Sequence, residues 1–183
     1  MRTRFRLLAA VAALLLSAAF APADAQKVVS ELKFGVGYHD INIFGDRKED
    51  SGMDINGEVL FTSPDFLSFI WSPRPHIGAL IHTAGATSQL YTGLTWQYDF
   101  DAGPFVAGSL GLAVHSGNLD TDREDRKSLG GRVLFRESIE LGWRFGEERR
   151  HSVSVMLSHI SNAGLYERNQ GMDTLAARYG VRF

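Results

Sequence analysis

Residues 151–183, HSVSVMLSHISNAGLYERNQGMDTLAARYGVRF, hold two strand-like runs separated by a polar loop. In the first, Val153, Val155, Leu157, His159 and Ser161 fall on one parity; in the second, Asp173, Leu175, Ala177, Tyr179, Val181 and Phe183 do. Side chains alternate faces along a strand, so residues two apart are neighbours. One apolar stripe therefore ends in an imidazole and a hydroxyl, and the next opens with a carboxylate. If that face meets lipid, three polar groups sit at its edge, where they are costly and usually functional.

The same period of two runs through the chain upstream. Leu32, Phe34, Val36 and Tyr38 alternate with Glu31, Lys33, Gly35, Gly37 and His39; Met53, Ile55, Val59 and Phe61 alternate with Asp54, Asn56 and Glu58. Leu90, Leu94, Trp96, Tyr98 and Phe100 form a third stripe, Val106, Leu110, Leu112 and Val114 a fourth, and Phe135, Ile139, Leu141, Trp143 and Phe145 a fifth. Residues 75–83 supply a less regular segment, with Ile77 and Ile81 opposite Leu80. About eight strands of about ten residues predict an all-β fold, an eight-stranded antiparallel transmembrane β-barrel. Its second parity carries Asp54, Glu58, Arg136, Glu140, Arg144, Arg178 and Arg182. A lumen of eight strands is only wide enough for side chains, so these charges are expected to pair and fill it, leaving no pore. The connections 45–52, 84–87, 116–131 and 162–172 belong at one end, and 62–74, 99–104 and 146–150 at the other. The stretch 62–74 is long and apolar for a turn and is read as partly strand.

Residues 1–25 stand apart from this pattern. Arg2, Arg4 and Arg6 precede an apolar run from Leu7 to Phe20, and Ala23-Asp24-Ala25 forms a small-residue cleavage site. That is a secretory signal peptide cut before Gln26, with residues 26–183 as the barrel domain. Three Arg and one Asp leave with it, so the formal net charge moves from −2 to −4. An acidic chain does not suggest a nucleic-acid partner. With no cysteine, the exported domain must be stable without disulfides.

The chemistry concentrates in the first-quoted stretch. Ser161 and His159 share a face, so an imidazole nitrogen can take the hydroxyl proton, and a carboxylate on the neighbouring strand can hold the other nitrogen. Asp173 lies on the matching parity. Ser158 points to the opposite face, and Glu167 is in the loop without a fixed one. The remaining histidines, His39, His76, His82, His115 and His151, show no tight metal-ligand spacing; His39-Asp40 reads as a surface pair and the charge run 120–127 as a solvated loop.

The segment Ser158-His159-Ile160-Ser161-Asn162-Ala163-Gly164-Leu165, followed by Asn169, Gly171, Asp173 and the closing Arg178-Tyr179-Gly180-Val181-Arg182-Phe183, resembles the PagL-type lipid A 3-O-deacylases. The local likeness covers about 25 residues. It implies an eight-stranded outer-membrane barrel with catalytic groups on its outer wall, Ser161 as nucleophile, His159 as general base and Asp173 as orienting acid. The family usually carries Glu at that acid position, so the shorter Asp173 requires closer strands or a shifted imidazole. Asn162, Asn169 and Gly164 are the candidates for oxyanion or structural roles. The expected activity is hydrolysis of the ester-linked acyl chain at the 3-position of lipid A, in the outer leaflet of the outer membrane, without metal or organic cofactor. Lipopolysaccharide is the expected partner, and a homodimer is left open. Competing readings are a non-catalytic structural or adhesive barrel, a lipid A palmitoyltransferase, and a soluble lipid carrier, the last predicting apolar residues inside and polar ones outside.

Overall fold

The structure, a computed structural model, describes residues 28–43, 48–49 and 52–183; the expected leader lies outside them. Eight strands follow one another: β1 (Val29–Tyr38), β2 (Met53–Phe61), β3 (Arg74–His82), β4 (Gln89–Asp99), β5 (Pro104–His115), β6 (Val133–Phe145), β7 (His151–Ser161) and β8 (Met172–Arg182). Each pairs antiparallel with the next, and β1 returns to β8 from Glu31↔Arg182 to Tyr38↔Leu175, closing the barrel. Closure leaves no strand edge with unpaired backbone groups, the condition for a sheet to stand in hydrocarbon.

The two parities separate as the alternation requires. Val36, Leu90, Leu110, Leu112, Ile139, Leu141, Val153 and Val155 are exposed on the outer wall. Inside, Lys33 Nζ meets Glu140 Oε2 at 2.7 Å, Arg178 Nη2 meets Glu58 Oε1 at 2.7 Å, and Glu31 is gripped by Arg74 at 2.7 Å and Arg144 at 3.1 Å. Arg182 reaches Asp99 at 2.9 Å on the rim. The lumen is thus plugged largely by paired charges, as an eight-stranded barrel allows, whereas Arg136, expected to pair, lies over the Tyr91 ring at 3.8 Å. Towards the end that bears the site the plug turns apolar, with Leu80, Tyr91, Leu129, Leu134, Ile160 and Met172 in one cluster. This inside-out polarity is the reverse of what a soluble lipid carrier needs.

Two connections depart from the sequence reading. Residues 62–73 are not strand. They hold a short 3-10 helix, Asp65–Ile70, tied to the wall by a hydrogen bond from Trp96 Nε1 to the Ile70 carbonyl at 2.8 Å. Phe66, Phe69 and Trp71 project from it almost fully exposed. The charge run is not wholly solvated either. Lys127 is buried, its ammonium 2.8 Å from Asp40 Oδ1 and 3.2 Å from Asn42 Oδ1, because folding carries that loop over the barrel mouth onto the β1–β2 connection.

Candidate active site

His159 and Ser161 end β7 on the outward parity, beyond Val153 and Val155, while Ser158 points inward and is buried beside Ser138 and Thr174. Asp173 begins β8 and is the direct cross-strand partner of His159. Direct antiparallel partners hold their Cβ atoms about 4.5–5.5 Å apart, near enough for a short carboxylate to reach an imidazole. The result is a bond of 2.6 Å between His159 Nδ1 and Asp173 Oδ1. Register alone brings the shorter carboxylate within reach of the imidazole where the resemblance leads one to expect Glu.

Asp173 sits on the outward parity yet is only 1% exposed, because the β1–β2 connection folds over it. The Ile43 N–H donates to Asp173 Oδ2 at 2.7 Å, and the Ile41 N–H donates to the Asp173 carbonyl at 2.8 Å. Asp40 ties the cover together. Its Oδ2 accepts the Glu49 N–H at 2.6 Å, and its Oδ1 faces Lys127 at 2.8 Å and the Asp173 N–H at 3.5 Å. Asp40 and Asn42 have φ of 44° and 54°, a region these two residue types tolerate better than most. The expected His39–Asp40 surface pair is therefore corrected: both residues are buried, and each bonds elsewhere.

The β7–β8 loop is built around Asn162. Its side-chain N–H groups donate to the carbonyls of Leu129 at 3.0 Å and Arg168 at 2.5 Å, and its Oδ1 accepts the Gly164 N–H at 2.9 Å. The Asn162 N–H in turn donates to Asn169 Oδ1 at 2.9 Å. Asn162 is buried, whereas Gly164, Glu167 and Asn169 are exposed in the loop.

Gly171 lies against the imidazole. Its φ is 59°, and a Cβ there would lie 2.8 Å from His159 Cε1 and 3.2 Å from the Ile160 carbonyl. Only glycine lets the backbone approach the imidazole so closely. On the other flank stands Glu137 of β6, outward-facing, exposed and directly paired with His159. The sequence reading missed Glu137, Asp40, Lys127 and the Ile43 N–H. Glu137 was legible, since it shares the parity of Phe135 and Ile139; the others depend on loops meeting in space.

Residues 79–182, more than half of the chain, match the family model for lipid A 3-O-deacylase, PagL. Over 78 residues the chain is 32% identical to the lipid A deacylase PagL of Pseudomonas aeruginosa, a match covering 43% of this chain and 42% of that relative's length. A crystal structure of the outer membrane enzyme PagL superposes with a TM-score of 0.63 at 20% identity, over 84% of this chain and all of that one, which establishes a common fold. The matched segment contains Ser161, His159, Asp173 and Glu137, and the chain belongs to the lipid A 3-O-deacylase (PagL) family.

Proposed function

We propose that the protein, its leader removed, is an outer-membrane esterase that hydrolyses the acyl chain ester-linked at the 3-position of lipid A in the outer leaflet. The observation that carries this reading is the 2.6 Å His159–Asp173 bond on the outward face of the barrel, with Ser161 two residues along the same face. Asp173 holds the Nδ1–H, so exchange of a proton with Ser161 falls to Nε2. Ser161 Oγ attacks the ester carbonyl as its proton passes to His159. The tetrahedral intermediate expels the sugar hydroxyl, which takes that proton back, and water then hydrolyses the acyl-serine by the same route.

The developing oxyanion needs donors. Asn162 spends its side-chain N–H groups on loop carbonyls, and its peptide N–H is taken by Asn169, so it acts as the scaffold. Asn169 is exposed and its Oδ1 is already engaged, which leaves its Nδ2 as the donor we assign. The start of β1 and the end of β8 lie opposite the site, with Phe183 N–H bonded to the Ser30 carbonyl at 3.1 Å; that end on the periplasmic side puts the site level with the outer leaflet.

Mass spectrometry of lipid A from cells producing the protein tests the proposal. One ester-linked acyl chain is expected to be lost with the natural chain and retained with Ser161→Ala. Unchanged lipid A beside a folded, membrane-inserted natural protein overturns it, and gain of an acyl chain points to transfer instead.

A further inference from the structure

His39, Asp54 and His82 are distant in sequence, yet they converge where β1 ends, β2 begins and β3 ends. Asp54 and His82 are direct partners across β2 and β3. Asp54 Oδ1 lies 3.0 Å from His82 Nδ1 and 3.0 Å from His39 Nδ1, and one donor atom of each residue lies within 4.8 Å of the others. All three side chains are buried, at 6% exposure or less. A fourth group completes the arrangement: Glu49 Oε2 is 3.0 Å from the second nitrogen of His39 and is itself held by the Thr87 N–H at 3.2 Å.

We propose that these residues form a structural site for a divalent transition-metal ion of the Zn²⁺ class. His39 Nδ1, His82 Nδ1 and the Asp54 carboxylate are the ligands, and Glu49 is the outer carboxylate that orients His39. Two imidazoles and one carboxylate are a zinc-type donor set, whereas Ca²⁺ and Mg²⁺ prefer oxygen throughout. The spacing fits. Bonds of about 2.0–2.1 Å make the edges of a zinc tetrahedron about 3.3 Å, so contacts of 3.0 Å need only open slightly around an ion. A ligating histidine that donates its other N–H to a carboxylate is the usual outer-shell arrangement, and His39 with Glu49 has it. Charge argues the same way. Glu49 has Arg126 Nε 3.7 Å from its Oε1, whereas buried Asp54 is bonded to two imidazoles, and a cation held between them offsets its charge.

The site bears on the proposed chemistry by position only. The ion touches no substrate. It pins His39 at one end of the connection whose next residues, Asp40, Ile41 and Ile43, bond to the backbone and carboxylate of Asp173. Zinc is therefore expected to stabilise the barrel mouth and, on the esterase reading, to support turnover. His82 lies inside the segment that matches the family, and His39 and Asp54 lie before it.

The test uses tag-free, detergent-folded full-length mature protein, stripped with a chelator and titrated with ZnCl₂ alone. Calorimetry and metal analysis after gel filtration should give about one ion per chain, with a raised unfolding midpoint. His82→Ala should remove both effects, Glu49→Gln should weaken binding by roughly 10–100-fold, and Ser161→Ala should bind like the natural chain. Heat-modifiable gel mobility verifies that each variant is a folded barrel. Absence of zinc binding by the folded natural chain, or equal binding by His82→Ala, overturns the site. Binding that survives while lipid A stays unmodified leaves the site standing and counts against the esterase reading alone.

Discussion

At the residue scale the His159–Asp173 pair rests on two supports that can be removed singly. Asp173→Asn keeps the shape but loses the carboxylate that fixes the imidazole tautomer, and turnover is expected to fall roughly 10²–10⁴-fold. A detergent-micelle assay on purified lipid A reads this, and full activity would take Asp173 out of the mechanism. Gly171→Ala introduces a methyl 2.8 Å from His159 Cε1 at a φ of 59°. Strain of about 1–3 kcal/mol and a displaced imidazole should cut kcat at least tenfold while the protein still runs as a folded barrel. Glu137 is the third test. A carboxylate on the outer wall near the rim costs up to about 1 kcal/mol against a bilayer, so Glu137→Leu should match or exceed the natural stability in urea unfolding from vesicles. Its turnover is expected to drop, and equal turnover would make Glu137 a bystander.

At the element scale, the segment 62–73 is the part of the barrel that period-two reading could not describe. Its apolar residues, Phe66, Phe69, Ile70 and Trp71, suggested a strand, yet the backbone turns into a 3-10 helix after Pro64 and ends at Trp71 with φ of 65°. Aromatic side chains at one end of a barrel suit the membrane interface, where an apolar body and a polar edge are both accommodated. Taken as the difference between Trp143→Phe and Trp71→Phe/Trp143→Phe proteins, so that the Trp96 tether stays, the Trp71 fluorescence should shift to the blue when the protein inserts into vesicles. Emission characteristic of water in the inserted protein would show that this segment hangs clear of the bilayer. The β7–β8 loop illustrates the converse. Asn162, Gly164 and Gly171 are turn residues that the chain announces openly, and they occupy the turn for the reasons such residues favour turns.

At the scale of the whole molecule, the lumen decides stability. Arg178 and Glu58 are buried and bonded at 2.7 Å, and the next carboxylate, Glu140, is 3.7 Å from Arg178, so removing Glu58 leaves a buried charge with only its weaker partner. Glu58→Gln is expected to cost about 3–5 kcal/mol in unfolding from vesicles. A Glu58→Gln/Arg178→Gln double variant should recover part of that loss, because neither charge is then stranded. The same plug predicts that the purified barrel adds no ion conductance to a planar bilayer; steady single-channel openings would mean the lumen is not filled as described.

Much of this architecture was legible from residues alone, because alternation is a local property. Two neighbours along a strand must face opposite sides, so Val153, Val155, His159 and Ser161 declare a common wall without reference to the rest of the chain. Strand count, polarity of lumen and wall, and the placement of Ser161 and His159 all follow from that rule together with the length of the segments. Contacts between residues far apart in sequence carry no such signal. The register that sets Asp173 opposite His159, the Ile43 N–H on its carboxylate, the burial of Lys127 against Asp40, and the meeting of His39, Asp54 and His82 arise only when eight strands close and bring their loops to one mouth.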